Sequence, residues 1–174
     1  MKLLKTIKEK DVIADYSEKK DISYKLRQAV RAVLFDSNNK IALLKVSKMN
    51  YHKLPGGGIE DDENKEMALR RECREETGCD IKIGKDVGMI EEYKDSINIH
   101  QKSYCWISNV SGRKGDVKFT KKEKDQEFCL EWVKLDDAIS LVKNSKPINY
   151  KGKFIVIRDL EFLKEVETLL SSLN

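Results

Sequence analysis

No stretch of this 174-residue sequence approaches the run of about 20 apolar residues that a bilayer-spanning helix needs. The opening MKLLKTIKEKDV sets only Leu3 and Leu4 side by side before lysines interrupt, so the apolar centre of a signal peptide is missing too. Both absences argue for a cytoplasmic protein that does not engage membranes. Cysteine is sparse: Cys73, Cys79, Cys105 and Cys129 lack the close pairing of zinc sites and redox motifs, and in a reducing compartment they read as small buried hydrophobes. Repeats and low-complexity linkers are missing as well, and the length suits one folded domain over residues 1–174.

Charge, in contrast, is abundant. Charged residues make up 37% of the chain and hydrophobic residues 40%, enough for a core beneath a very ionic surface. The net charge of +4 hides an asymmetry: between Gly57 and Cys79 eight acidic residues face four basic ones, so this segment carries −4 and the remainder +8. An acidic patch on a basic body suits a cation site that receives a polyanion, although lysine-rich surfaces also serve solubility alone.

Along the chain, residues 1–25 are polar and suggest an edge strand and loop. Ala29 to Phe35 and Ile41 to Val46 are β-rich runs about a turn-forming spacer, a hairpin signal. Three glycines, Gly56 to Gly58, then demand a sharp turn or a close approach. Glu63 to Thr77 is rich in helix formers, with Asp61 and Asp62 as candidate caps and Gly78 as the stop. Cys79 to Ile83, Gly88 to Tyr93, Ile99 to Val110 and Leu130 to Leu135 read as strands. Asp136 to Lys143 and Ile155 to Leu173 read as helices, with Pro147 and Gly152 punctuating their connection. Interleaved strands and helices predict an α/β fold, a mixed sheet flanked by helices.

The central helix carries the chemistry. With about 100° per residue, Glu72, Glu75 and Glu76 fall on one narrow face, and Leu69 and Cys73 lie on its flank, where they can pack on the sheet. Like charges at this spacing repel, and a divalent cation removes that penalty. Oxygen donors without His or Cys favour magnesium, or manganese, over zinc. By itself, such a helix reads more readily as a solvated surface whose glutamates pair with Arg70, Arg71 and Arg74, and it is the glycine loop before it that shifts the balance to a metal site.

Gly57, Glu63, Arg71, Glu72, Glu75, Glu76 and Gly78 occupy every fixed position of a pattern that runs Gly, five residues, Glu, seven residues, Arg-Glu-apolar-any-Glu-Glu-any-Gly-apolar. In this the chain resembles the Nudix hydrolases of the MutT type. Cys73 and Cys79 stand where larger apolar residues are usual, and His52 where an aromatic, often Trp, is common. Leu54 to Gly57 is similar to the entry into the box, and Glu131 to Ala138 to the segment leading to a later helix, so the likeness runs from about Ala29 to Lys143.

The resemblance implies a Nudix-type α/β/α sandwich and magnesium-dependent hydrolysis of a diphosphate linkage in a small nucleotide-like substrate: a nucleoside triphosphate, an oxidised nucleotide or a nucleotide sugar. It assigns Glu72, Glu75 and Glu76 as metal ligands with the Gly57 carbonyl as a further one, and makes Glu63 and Arg71 the brace between loop and helix. The general base is Glu72 or, second, Glu131, with Glu127 and Glu123 behind them. Arg31, Lys45, Lys48 and Lys53 are near enough in sequence to meet phosphates, and Tyr51, His52, Tyr93, Tyr104 and Trp106 to stack on a base, so the substrate-binding candidates are Lys53, His52, Tyr51 and Arg31.

Other readings are a ligand-sensing module that has lost catalysis, an RNA 5′-end pyrophosphohydrolase, and isomerisation of a prenyl diphosphate. The intact carboxylate set argues against the first, the lack of a clustered aromatic and basic surface against the second, and the hydrolase-like entry against the third. Residues 1–25 and 144–174 carry no readable motif and leave room for a homodimer contact.

Overall fold

The computed structural model describes residues 1–172. Strands β2 (Lys25–Phe35) and β3 (Ile41–Val46) form the expected hairpin. Its turn is built by Asp36, whose carboxylate accepts the amides of Asn38 and Lys40, both at 2.9 Å, while Asn39 takes a left-handed φ of 55°. The two strands pair only at Phe35 and Ile41 and then diverge. The gap is filled by the next segment. Strand β4 (Tyr51–Lys53) pairs with β3, and the glycine run continues along β2, with Ala32 N–H donating to the Pro55 carbonyl (3.0 Å) and Val30 N–H to the Gly57 carbonyl (2.9 Å).

Helix α1 (Lys65–Thr77) starts two residues later than the sequence suggests. Asn64 rather than Asp61 or Asp62 is its cap, accepting the Met67 amide at 2.9 Å, and Gly78 ends it with φ 69°. The strands expected around Cys79 to Ile83 and Gly88 to Tyr93 are one strand, β5 (Asp80–Lys94), because bulges between Ile83 and Gly88 let pairing with β6 (Ile99–Ser111) resume. Strand β1 (Leu3–Lys8) runs parallel to β5 at the sheet edge. A short helix α2 (Lys121–Asp125), unforeseen in the sequence, precedes β7 (Phe128–Val133), which pairs with β3.

Helix α3 (Leu135–Lys143) follows, and α4 (Tyr150–Ser171) begins five residues before the expected Ile155. The Asn149 side chain caps α4 through the Gly152 amide at 2.9 Å, so Gly152 lies inside the helix and does not punctuate a loop. The expected final residue, Leu173, falls outside the described residues.

The sheet order is β1-β5-β6-β2-β3-β4, with β7 on β3, and parallel and antiparallel pairs make it mixed. Alternation decides the layers. Val30, Ala32, Leu34 and Ala42 turn to one face, where Ala68, Leu69 and Cys73 of α1 pack on them. Val33, Ile41 and Leu43 turn to the other, against Ala138 and Val142 of α3 and Phe154, Phe162, Leu163 and Val166 of α4. Each such large aliphatic side chain, fully buried, contributes about 2 kcal/mol. Three of the four cysteines are buried as expected; Cys129 is exposed, because β7 lies on the outer side of β3. Among the described residues no helix is long and apolar enough to cross a membrane.

Candidate active site

The loop and helix of the box meet through bare glycine. A β-carbon on Gly57 would lie 2.2 Å from a Glu72 carboxylate oxygen, and one on Gly56, at φ 132°, 2.1 Å from the Val30 carbonyl oxygen. Only residues without side chains let the loop lie on β2 and let Glu72 reach it. Arg71 fastens loop to helix: its Nε and Nη2 donate to Glu63 at 2.6 and 2.9 Å, and Nη2 also to the Gly58 carbonyl at 3.1 Å. The remaining Nη1 donates to Glu72 (2.8 Å) and Glu75 (3.3 Å), holding those two carboxylates side by side. The hydrogen bond from Arg71 pulls the Glu63 carboxyl below its ordinary value.

Glu76 is placed differently. It is 2% exposed, and its carboxylate accepts Lys53 Nζ at 2.6 Å and the Gly56 amide at 2.7 Å. Burial raises its pKa, with Lys53 opposing. Lys53 is therefore a buried partner of Glu76 at the entrance of the loop. Among the described residues no three carboxylate, imidazole or thiol groups stand ready-made around a metal position. The donors nevertheless suit a hard cation in kind: Glu72 and Glu75 stand side by side next to Gly57, whereas the Gly57 carbonyl accepts the Val30 amide and Arg31 Nη1, and Glu76 is held by two hydrogen bonds that it must exchange to join them.

Next to Gly56 and Gly57 opens a cleft of about 320 Å³ between the sheet, α2 and α4. Seven basic side chains line it, among them Arg27, Arg31, Lys53, Lys94 and Arg158, and Glu123 is the one acidic residue of that lining. Tyr51, Phe128 and Ile155 add an apolar wall. Burial pushes the Arg31 guanidinium down to about 10 and the Lys94 ammonium down to about 8. The cleft wall from α4 was not legible beforehand, although Phe154, Arg158, Phe162 and Val166 recur every fourth residue, which sets Arg158 on the buried stripe. Its neighbour Asp159 is fully buried and accepts the Leu54 amide at 2.8 Å, anchoring the chain just before Pro55.

Of the substrate-binding candidates, Arg31, Lys53 and Tyr51 come together in this cleft, and His52 does not. The His52 amide donates to Ser145 Oγ (3.0 Å), and its ring lies 3.9 Å from Glu131, over α3. Burial draws the imidazole below its ordinary value, so it is neutral near pH 7. Glu131 pairs with Leu43, on the sheet face opposite α1, which separates it from Glu72. Glu127 stands at φ 55° beside Lys48, and Glu123 caps α2 through the Thr120 amide while lining the cleft. Among the later carboxylates considered for the base, the fold thus directs Glu123 to the cleft and Glu131 away from it.

The NUDIX domain model matches residues 25–153, covering both the box and the cleft strands. This chain belongs to the Nudix family. Its relatives include the diphosphoinositol polyphosphate phosphohydrolase 3-alpha of Mus musculus, 29% identical over 130 residues, spanning 71% of this chain and 73% of the mouse protein. Among solved structures, a NUDIX hydrolase from Nitrosomonas europaea superposes with a TM-score of 0.61 at 18% identity, over 83% of this chain and 90% of that one. The C. elegans Ap4A hydrolase gives 0.57 at 16% identity, over 84% and 99%. These last two show the common fold. This Nudix chain is an enzyme of the diphosphatase class, acting on acid-anhydride bonds.

Proposed function

We propose that the protein hydrolyses a diphosphate linkage in a small, phosphate-rich molecule of nucleotide type, with magnesium or manganese as cofactor. The observation that carries this reading is the meeting of Glu72 and Glu75 with the glycine loop at the mouth of a cleft lined by seven basic side chains. Glu72, Glu75 and the Gly57 carbonyl would hold the metal, and Glu76 would join by leaving Lys53. A bound divalent ion supplies charge neutralisation for the diphosphate oxygens. The chain's own residues do the rest. Arg27 on the cleft rim orients the diphosphate, Arg71 keeps the two glutamates in place, and Glu72 is the first candidate to take the proton from the attacking water, with Glu123 as the later-loop alternative.

A second substrate reading has its own support. The seven cations of the cleft outnumber by three the carboxylates that line or pair with them, Glu76, Glu92, Glu123 and Asp159, and the mouse relative is named for a diphosphoinositol polyphosphate. Release of hydrolysis products with added magnesium, separated by chromatography across nucleoside triphosphates, nucleotide sugars, dinucleoside polyphosphates and diphosphoinositol polyphosphates, tests both. The expected result is metal-dependent release from at least one class, lost by about a hundredfold or more in Glu72→Gln and in Glu75→Gln with the fold retained. Binding without release from every compound would overturn the hydrolase assignment in favour of a sensor.

A further inference from the structure

The floor of the cleft carries more positive charge than its own carboxylates balance. Besides Lys53, which Glu76 neutralises, three cations are buried there: Arg31 at 5% exposure, Lys94 at 5% and Arg158 at 1%. Two fully buried carboxylates answer them, since Glu92 lies 3.0 Å from Lys94 and 3.4 Å from Arg158, and Asp159 lies 2.7 Å from Arg158. Among the described residues Arg31 forms no ion pair; its Nη1 donates only to the carbonyls of Val30 and Gly57. Arg31 Nε and Arg158 Nη2 are both buried and have no hydrogen-bond partner. Both guanidinium groups line the same cleft, with the Arg27 side chain on its rim, tied to Gln101 at 2.5 Å.

A buried donor without an acceptor and a buried cation without a counter-ion are both unfavourable, and an anion with several oxygens relieves both at once. Guanidinium forks match phosphoryl oxygens, and this pair is already held by Glu92, Asp159 and the Val30 carbonyl. The position matters as well. Gly57 turns its carbonyl to Arg31 and its β-carbon position to Glu72, and neither Glu72 nor Glu75 lines the cleft, so a group seated on Arg31 and Arg158 lies apart from the box carboxylates.

Resting on the diphosphatase reading above, we infer that Arg31 and Arg158 form a phosphoryl-anion subsite that holds a phosphate of the substrate other than the two joined by the scissile bond. The enzyme then prefers substrates with at least one phosphate beyond that diphosphate, and Arg31 and Arg158 determine specificity. Free orthophosphate has the same chemistry and is the other source that the test separates.

The test begins with the full-length, metal-free protein and inorganic tripolyphosphate, followed by calorimetry and by melting temperature. The wild type binds and melts higher when bound. Arg31→Gln weakens binding about tenfold or more, the loss expected of one charge-assisted hydrogen bond, while unliganded Arg31→Gln melts no lower than the wild type because no ion pair is removed. Arg158→Gln weakens binding likewise; should it fail to fold with Glu92 and Asp159 left unpaired, Arg31→Gln alone decides. Tripolyphosphate affinity unchanged in Arg31→Gln overturns the subsite. In the second arm, KM is measured for two substrates that share the scissile diphosphate and differ by one additional phosphate. A rise in KM confined to the more phosphorylated substrate supports the assignment, whereas an equal rise for both, with orthophosphate competing as strongly as tripolyphosphate in the wild type, overturns it in favour of free phosphate. Intact tripolyphosphate binding with no hydrolysis of any substrate would sink the diphosphatase reading and leave the subsite standing.

Discussion

Arg71 and Lys53 do unlike jobs with similar charge. Arg71 divides five donors among Glu63, Glu72, Glu75 and the Gly58 carbonyl, a fork that a lysine cannot reproduce. Lys53 neutralises one buried carboxylate, Glu76. Lys53→Met leaves Glu76 buried with only the Gly56 amide for company, and chemical denaturation is expected to show a loss of about 3 kcal/mol at neutral pH. A loss under about 1 kcal/mol would mean that the pair is open to water.

The Glu63–Arg71 bond also sets a pH dependence. Because Arg71 lowers the Glu63 pKa in the folded state, its stabilisation is present above the unfolded value, near 4.5, and is lost as pH falls through the depressed folded value. Melting temperatures followed from neutral pH down to about pH 3 should fall less steeply in Arg71→Ala than in the wild type. Parallel profiles would count against this linkage. The candidate site was most legible at this scale: Glu63 and Arg71 are eight residues apart across a loop and a helix start, a separation that local geometry alone can close.

Among the elements, the glycine run is the least replaceable. It lies where β2 and β3 diverge, and Gly56 faces the Val30 carbonyl at a backbone angle that other residues avoid. Gly56→Ala is expected to cost at least about 3 kcal/mol, or to prevent folding, whereas Asn64→Ala, which removes the α1 cap but no packing, should cost about 1 kcal/mol. Comparative denaturant unfolding of the two variants checks the ranking, and an equal cost would show that the loop tolerates a side chain.

The sequence announced this loop by glycine content, and α1 by its helix formers and stop. It did not announce α2, only five residues long, or the joining of two strands into β5, because bulges leave no compositional trace. It also placed the cap of α1 too early, since Asp61, Asp62 and Asn64 are all competent caps and only the path of the loop selects among them.

For the molecule as a whole, charge is segregated: acidic at the box, basic in the cleft beside it. A polyanionic substrate drawn in by this field should show a KM that rises several-fold between low and roughly physiological ionic strength, with kcat little changed. Steady-state kinetics over a salt series, at constant free magnesium, measures it. A KM indifferent to salt would argue that the cleft cations are spent on one another.

By itself the sequence determined what is local or periodic: the box loop and helix, the Glu72 and Glu75 face, the β2–β3 hairpin and a mixed sheet between helices. Those follow from glycine, capping and spacing along fewer than about two dozen residues, where chain connectivity already brings the groups close. Only the tertiary structure decided which face each strand gave to which helix. That choice set Glu131 and His52 over α3, far from α1, engaged Glu76 with Lys53, and brought Arg158 and Asp159 of α4 beneath Arg31 and the start of the glycine run. Alternation along a strand gives two faces but does not say which one the site occupies. Here the register of β7 on β3 and the packing of α4 across the sheet, pairings between residues 88 and 105 apart in Leu43 with Glu131 and Leu54 with Asp159, settled it.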